Sequence, residues 1–197
     1  KVGDIAPDES IWSARFIGDK AYIVTFRNID PLWTIDLSEP TNPRIIGELK
    51  IPGVSTYIHP VGDTHLLTIG IAGDDEGLDW GVTQISFFDV SDFSNPILES
   101  ELKLNPAPNG ENGWSYSHSE ATYEHKAFQY WESDGLLAIP LSTSRWFENS
   151  VIEDGKTYNY YGYEYVSKLM LINATPEKSL EIYNDNIDHS SYYGSRF

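Results

Sequence analysis

The phrase Asp36-Leu37-Ser38-Glu39-Pro40-Thr41-Asn42-Pro43 returns as Asp89-Val90-Ser91-Asp92-Phe93-Ser94-Asn95-Pro96. A chain that repeats itself at a period of about 50 residues builds from like units stacked side by side. Each copy is preceded by an apolar strand, Leu32-Trp33-Thr34-Ile35 or Ile85-Ser86-Phe87-Phe88, and followed by another, Arg44–Leu49 or Ile97–Leu102. The repeat therefore constrains the architecture more tightly than any single residue does.

The first repeat (about 10–53) opens with Ser13-Ala14-Arg15-Phe16-Ile17, turns at Gly18-Asp19 and continues through Ala21–Phe26, Leu32–Leu37 and Arg44–Leu49. Four strands in about forty residues is the size of one propeller blade. The second repeat (about 54–104) keeps this order: Ser55–His59, the turn Gly62-Asp63, Leu66–Ile69 and the strand ending at Asp89. Its extra length falls in Gly73–Gly81. The third (about 115–186) runs from His125–Tyr130 through the turn Ser133-Asp134-Gly135 to Leu136–Pro140, then a long hairpin from about Ser144 to Val166 that turns near Glu153–Lys156. Asn173 stands there in place of the Asp, and Leu180–Tyr183 closes the unit. Gly194-Ser195-Arg196-Phe197 echoes Ser13-Ala14-Arg15-Phe16, so residues 187–197 read as the start of a fourth repeat.

The expected fold is all-β: a propeller of four-stranded antiparallel blades, about three of them plus the first strand of a fourth, within one partial domain over 1–197. No sustained 3.6-residue apolar period predicts a helix of any length. Three blades cannot close a ring of four or more, so the remaining blades are expected from the same longer chain.

Several classes are disfavoured by composition. A formal charge of −17 repels phosphate backbones and argues against nucleic acid and anionic membrane surfaces. Apolar runs such as Gly135–Leu141 are too short to insert in a bilayer, and the segment reads as soluble. The absence of cysteine removes disulfides, thiolate zinc sites and cysteine nucleophiles. The chain starts at Lys1 without a signal-peptide pattern and reads as beginning downstream of a further segment.

The residues Arg15–Phe26, Asp30-Pro31-Leu32, Ile35–Ser38, Gly47–Gly53, Ser55–Pro60, Phe87–Ser91 and His125–Phe128 together resemble the secreted bacterial and archaeal β-propeller domain family, distantly related to the WD repeats. The resemblance covers nearly the whole chain. It implies a propeller behind an export signal, hence a secreted, periplasmic or cell-surface location, with no biochemical activity attached. The expected function is a non-catalytic module presenting loops and a central channel to protein or polysaccharide partners. The alternative is a propeller hydrolase or lyase with its site at the channel mouth.

Candidate sites follow from chemistry. Asp36 and Asp89 end strands, where a carboxylate accepts backbone N–H groups of the following turn. Pro43 and Pro96, lacking N–H groups, suit the start of an outer edge strand. Asp74, Asp75, Glu76 and Asp79 bring four carboxylates into six residues, a candidate calcium loop or a solvated acidic one. His118, Glu120, Glu124 and His125 form a second cluster, able in principle to hold zinc or move protons, or simply to bond locally. No nucleophile elbow, phosphate loop, dinucleotide fingerprint or metalloprotease motif is present.

Basic residues are scarce, yet Arg15, His59, Lys126 and Arg196 all fall in the expected first strand of successive repeats. Innermost strands line a propeller's channel, so these four form a candidate anion-binding ring, or else a set of local ion pairs between blades. The long hairpin carries Tyr158, Tyr160, Tyr161, Tyr163 and Tyr165 opposite Trp146 and Phe147, a surface suited to cross-strand packing and to protein or sugar contact.

Overall fold

A computed structural model describes residues 5–26, 30–74, 77–106, 114–177 and 179–196, the side chains of 30, 74, 147, 149 and 188–196 excepted. The described residues form three antiparallel sheets. The first is β1 (Ser10–Ile17), β2 (Lys20–Phe26), β3 (Asp30–Asp36) and β4 (Arg44–Ile51), in that spatial order. The second repeats it with β5 (Val54–Val61), β6 (His65–Asp74), β7 (Gly77–Asp89) and β8 (Ile97–Lys103). Each unit is a meander because the turns are short, and the turns sit where the chemistry allows them. Gly18, Gly62 and Gly135 open or close the first-to-second strand turns at φ +57°, +55° and +60°, a region that side chains avoid. Beyond Asp36 and Asp89 the chain leaves the strand through the Asn-Pro phrase to enter β4 and β8.

Apolar patterning records how the sheets stack. In the middle sheet, Leu66, Phe88 and Ile58 pack toward the first sheet, against Tyr22, Val24 and Leu32. Their neighbours Leu67, Ile69, Ile85 and Phe87 pack toward the third, against Leu137, Ile139, Leu141, Met170 and Ile172. A sheet covered on both faces buries successive positions, and Val82–Phe88 is buried throughout, the polar Thr83, Gln84 and Ser86 included. Each fully buried Leu, Ile or Phe contributes about 1.5–3 kcal/mol relative to exposure. Among the described residues the first and third sheets are covered on one face only, and Ile11 and Phe16 lie 64% and 66% exposed on the open side.

The third sheet departs from the expected pattern. It has five strands: β9 (Ser115–His118), β10 (Gln129–Trp131), β11 (Leu136–Glu153), β12 (Lys156–Thr175) and β13 (Ser179–Arg196). Both β9 and β10 occupy the same edge of β11, opposite 142–145 and 136–138 respectively. The gap between them centres on Pro140, which has no N–H to offer a partner strand. The inner strand leaves the sheet there and makes two single-turn 3-10 helices, Glu120–Thr122 and His125–Ala127. Ser119 bridges the break: its hydroxyl donates to the Pro140 carbonyl at 2.6 Å and accepts from the Ala121 N–H at 3.2 Å.

The long hairpin turns at Asp154-Gly155, both at positive φ, with Glu153 paired to Lys156. Residues 187–196, read from sequence as the opening strand of a fourth repeat, instead continue β13 along β12 as far as Arg196 opposite Tyr160. The physical reason is the length of β12, whose outer edge otherwise presents a row of unpaired backbone groups. Gly73–Gly81 is likewise not an open loop: β6 and β7 pair to their tip, with Asp74 opposite Gly77.

Candidate functional site

Strand register decides which side chains are equivalent. Arg15 on β1 lies opposite Tyr22, and His59 on β5 lies opposite Leu67. A bulge precedes each at the same offset, between Ile11 and Ser13 and between Ser55 and Tyr57. Arg15 and His59 thus occupy one position in successive sheets, as the sequence suggested. In the third sheet that position belongs to Gln129, opposite Ala138, and not to Lys126.

Lys126 lies in the second 3-10 turn, exposed, where its carbonyl accepts the Gln129 side-chain N–H at 2.6 Å. The sequence misplaced it because the Pro140 break moves the inner strand forward by several residues. For Arg196 the backbone is in β13, opposite Tyr160, and its side chain lies outside the described residues. A ring of four cations on four inner strands is therefore not what these residues build. They build two adjacent seams.

At the first seam the Ser13 hydroxyl donates to the Ser55 carbonyl at 2.7 Å, tying β1 to β5, with Arg15 two residues further along. At the second, His59 is half-buried among rings. Phe128 and Tyr130 stand 5.5 and 5.4 Å from it, and Tyr57 Oη lies 3.4 Å from Nδ1. Tyr57 in turn lies against His125 and Phe128 at 4.5 and 5.0 Å. Burial lowers the His59 pKa below the usual histidine value, the Arg15 charge lowers it further, and Glu132 opposes both. His59 is consequently neutral at neutral pH, which leaves Arg15 as the fixed cation of the pair. Glu132, which accepts the Gly62 N–H at 3.1 Å, supplies the anion at the same end of the strands.

The two other arginines with described side chains are neutralised: Arg44 meets Asp36 at 2.8 Å, and Arg145 meets Glu164. Arg15 has no hydrogen bond or ion pair among the described residues. A groove of about 390 Å³ lies on the first hairpin of the third sheet, lined by Gln129, Tyr130, Trp131, Glu132, Leu136 and Ala138. Sequence reading found Arg15 and His59 but missed Tyr57, Phe128, Tyr130 and Glu132, whose convergence depends on two sheets meeting.

The remaining candidates resolve into local roles. Asp36 and Asp89 accept the Ser38 and Ser91 N–H groups at 2.9 and 2.7 Å, and these bonds hold both carboxyls below the usual range. Of the candidate calcium set, Asp75, Glu76 and the Asp74 side chain lie outside the described residues. Asp79 sits on β7 opposite Ala72, its Oδ1 accepting the Gly81 N–H at 3.1 Å. The histidine and glutamate cluster is dispersed: His118 stacks on Tyr123, Glu124 caps the second 3-10 turn, and His125 faces Tyr57. On the hairpin, Trp146 meets Tyr163 edge-on at 4.8 Å and Trp114 approaches the same ring at 5.8 Å. Tyr163 remains 50% exposed.

Three meandering antiparallel sheets, stacked face to face with equivalent inner strands, define a β-propeller, here as an unclosed arc of blades. The chain belongs to the beta propeller domain family, whose profile matches residues 1–196. It is 50% identical over 105 residues to an uncharacterized protein of Methanocaldococcus jannaschii, a match covering 53% of this chain and 16% of that protein. A second uncharacterized protein, from Archaeoglobus fulgidus, is 36% identical over 140 residues, which is 71% of this chain and 20% of the relative. The chain thus matches a fifth or less of these relatives' length.

Proposed function

We propose that this chain is part of a non-catalytic, extracytoplasmic binding propeller whose inner-edge seam receives an acidic group from a protein or polysaccharide partner. The observation that carries the reading is Arg15: in a molecule with a large excess of carboxylates, the other described arginines are paired and this one is not. A guanidinium offers a planar fork to a carboxylate, and Tyr57 and Tyr130, which flank the neighbouring His59, supply the flat apolar surface that sugars and peptides both use. The extracytoplasmic location rests on the family resemblance alone. No helix among the described residues is long and apolar enough to cross a membrane.

The test is direct titration with oligouronides and with an Asp/Glu-rich peptide, followed by calorimetry. Binding by the native chain and at least a tenfold loss in Arg15→Met, with an unchanged circular dichroism spectrum, is the expected result. Equal binding by the variant, or none by either protein, overturns the reading.

The hydrolase or lyase alternative draws on one feature, a neutral half-buried histidine with a carboxylate nearby. Acid-base work needs that nitrogen within reach of substrate, whereas Tyr57, Phe128 and Tyr130 surround the ring. Polysaccharide turnover lost on His59→Gln is the outcome that favours this alternative over binding.

A further inference from the structure

The second sheet carries a group of side chains that the repeat itself makes anomalous. In the first sheet, Asp36 lies opposite Arg44, its Oδ1 holding the Ser38 N–H and its Oδ2 receiving the Arg44 Nη2 at 2.8 Å. Asp89 occupies the same place in the second sheet, and its Oδ1 holds the Ser91 N–H in the same way. Opposite it, however, stands Ile97, which supplies no charge.

The two other neighbours are also changed. Lys20 of the first sheet is replaced by His65, and the bulged position of β4, Ile46, is replaced on β8 by Glu99. The second sheet has therefore lost two cations at this corner, Lys20 and Arg44, and gained a carboxylate and an imidazole.

These three residues converge. His65 Nε2 lies 3.4 Å from Glu99 Oε2, and one donor atom from each of His65, Asp89 and Glu99 falls within 4.8 Å of the other two. Among the described residues this is the one group of three or more His and carboxylate side chains that close together. The imidazole is held from both sides. Phe87 stacks on it at 5.2 Å and 13°, and Thr64 Oγ1 lies 2.8 Å from Nδ1. An Nδ1 occupied by a neighbouring oxygen leaves Nε2 as the ligand nitrogen, the arrangement by which proteins orient metal-binding histidines. His65 is only 12% exposed and Glu99 34%, so the donors are partly removed from water.

We infer that His65, Asp89 and Glu99 form a divalent transition-metal site, with zinc its natural test ion, and that the metal takes the place that Arg44 fills in the first sheet. Zinc with bonds of about 2.0–2.1 Å sets tetrahedral ligand atoms roughly 3.3–3.4 Å apart, the His65–Glu99 spacing. One imidazole and two carboxylates suit zinc rather than calcium or magnesium, which prefer all-oxygen shells. A fourth position is left for water. The third sheet lacks the set, carrying Leu136, Asn173 and the bulged Tyr183 at the corresponding register, so the site belongs to one repeat.

The experiment is calorimetric titration of the chelator-treated, tag-free 197-residue chain with zinc chloride, repeated with calcium chloride. One zinc per chain at micromolar affinity or tighter is expected, with calcium binding at least a hundredfold weaker. Glu99→Gln, a change at a partly exposed side chain, should weaken zinc at least tenfold, as should His65→Gln. Ile97→Arg should do the same while preserving the fold, because it rebuilds the Asp–Arg pair of the first sheet. Long-range proton–nitrogen spectra of the native chain should show zinc displacing the Nε2 resonance of His65. The absence of zinc binding overturns the inference, and so does zinc binding that survives His65→Gln and Glu99→Gln.

Discussion

At the scale of single residues, the Arg15, His59 and Glu132 group makes a prediction with a definite sign. The folded-state pKa of His59 is depressed, so the native state binds the proton less readily than the unfolded chain does. Stability linked to His59 is therefore fully present above the unfolded value near 6.5 and is lost as pH falls from there to the folded value. In His59→Gln that component disappears, and the pH dependence of the melting temperature just below about pH 6.5 should flatten. Nuclear magnetic resonance titration of the His59 ring should show its pKa rising in Arg15→Met and falling further in Glu132→Gln. A ring pKa indifferent to both changes would place these charges elsewhere. Asp36, Asp89 and Asp92 are also depressed, through hydrogen bonds to Ser38, Ser91 and Ser94. Their contribution is held above the usual carboxylate range and lost as pH falls through their folded values, a separate and more acidic transition.

At the scale of elements, two glycines separate conformational from steric demands. A Cβ at Gly18 meets nothing within 4 Å, so Gly18→Ala is penalised by its φ of +57° alone, about 1–2 kcal/mol. At Gly70 a Cβ falls 1.7 Å from the Val54 carbonyl oxygen, where β5 crosses close over β6 beside its bulge. Gly70→Ala must push these strands apart, and overpacking of that kind costs about 1–3 kcal/mol or more. Chemical denaturation should therefore rank Gly70→Ala as the more damaging change, and the reverse order would mean the bulge is not packed as described. The same scale explains the misreading of Lys126. Proline in the middle strand of the third sheet was visible in the sequence, but that its missing N–H faces the inner strand is a fact of register. Only the paired structure shows the inner strand splitting around it.

At the scale of the molecule, the arc has two unlike kinds of surface. The middle sheet is covered on both faces, whereas the first and third leave apolar side chains open, Ile11, Phe16, Leu169 and Tyr183 among them. We propose that further blades of the same longer chain cover these faces. The 197-residue chain alone should then self-associate through them. Light scattering is expected to show a mass that rises with salt, because screening weakens the mutual repulsion of molecules of charge −17. The double substitution Ile11→Ser and Phe16→Ser should shift the population toward monomer. A monomer at all salt concentrations would mean that the open faces need no partner.

What the sequence determined by itself was everything carried by local chemistry and periodicity. The recurring Asp phrase set the Asx turns after β3 and β7, the glycines set the turn positions, and short apolar strands at a regular spacing set the four-stranded units. These follow from backbone sterics, hydrogen bonding within a few residues and the alternation of side chains along a strand. What only the tertiary structure decided was which side chains meet across strands and seams. His65, Asp89 and Glu99 come from three strands, and Tyr57, His59 and Tyr130 from two sheets, so their convergence depends on register and on bulges. A one-residue slip reverses the face on which every later side chain lies, and local sequence carries no measure of that slip.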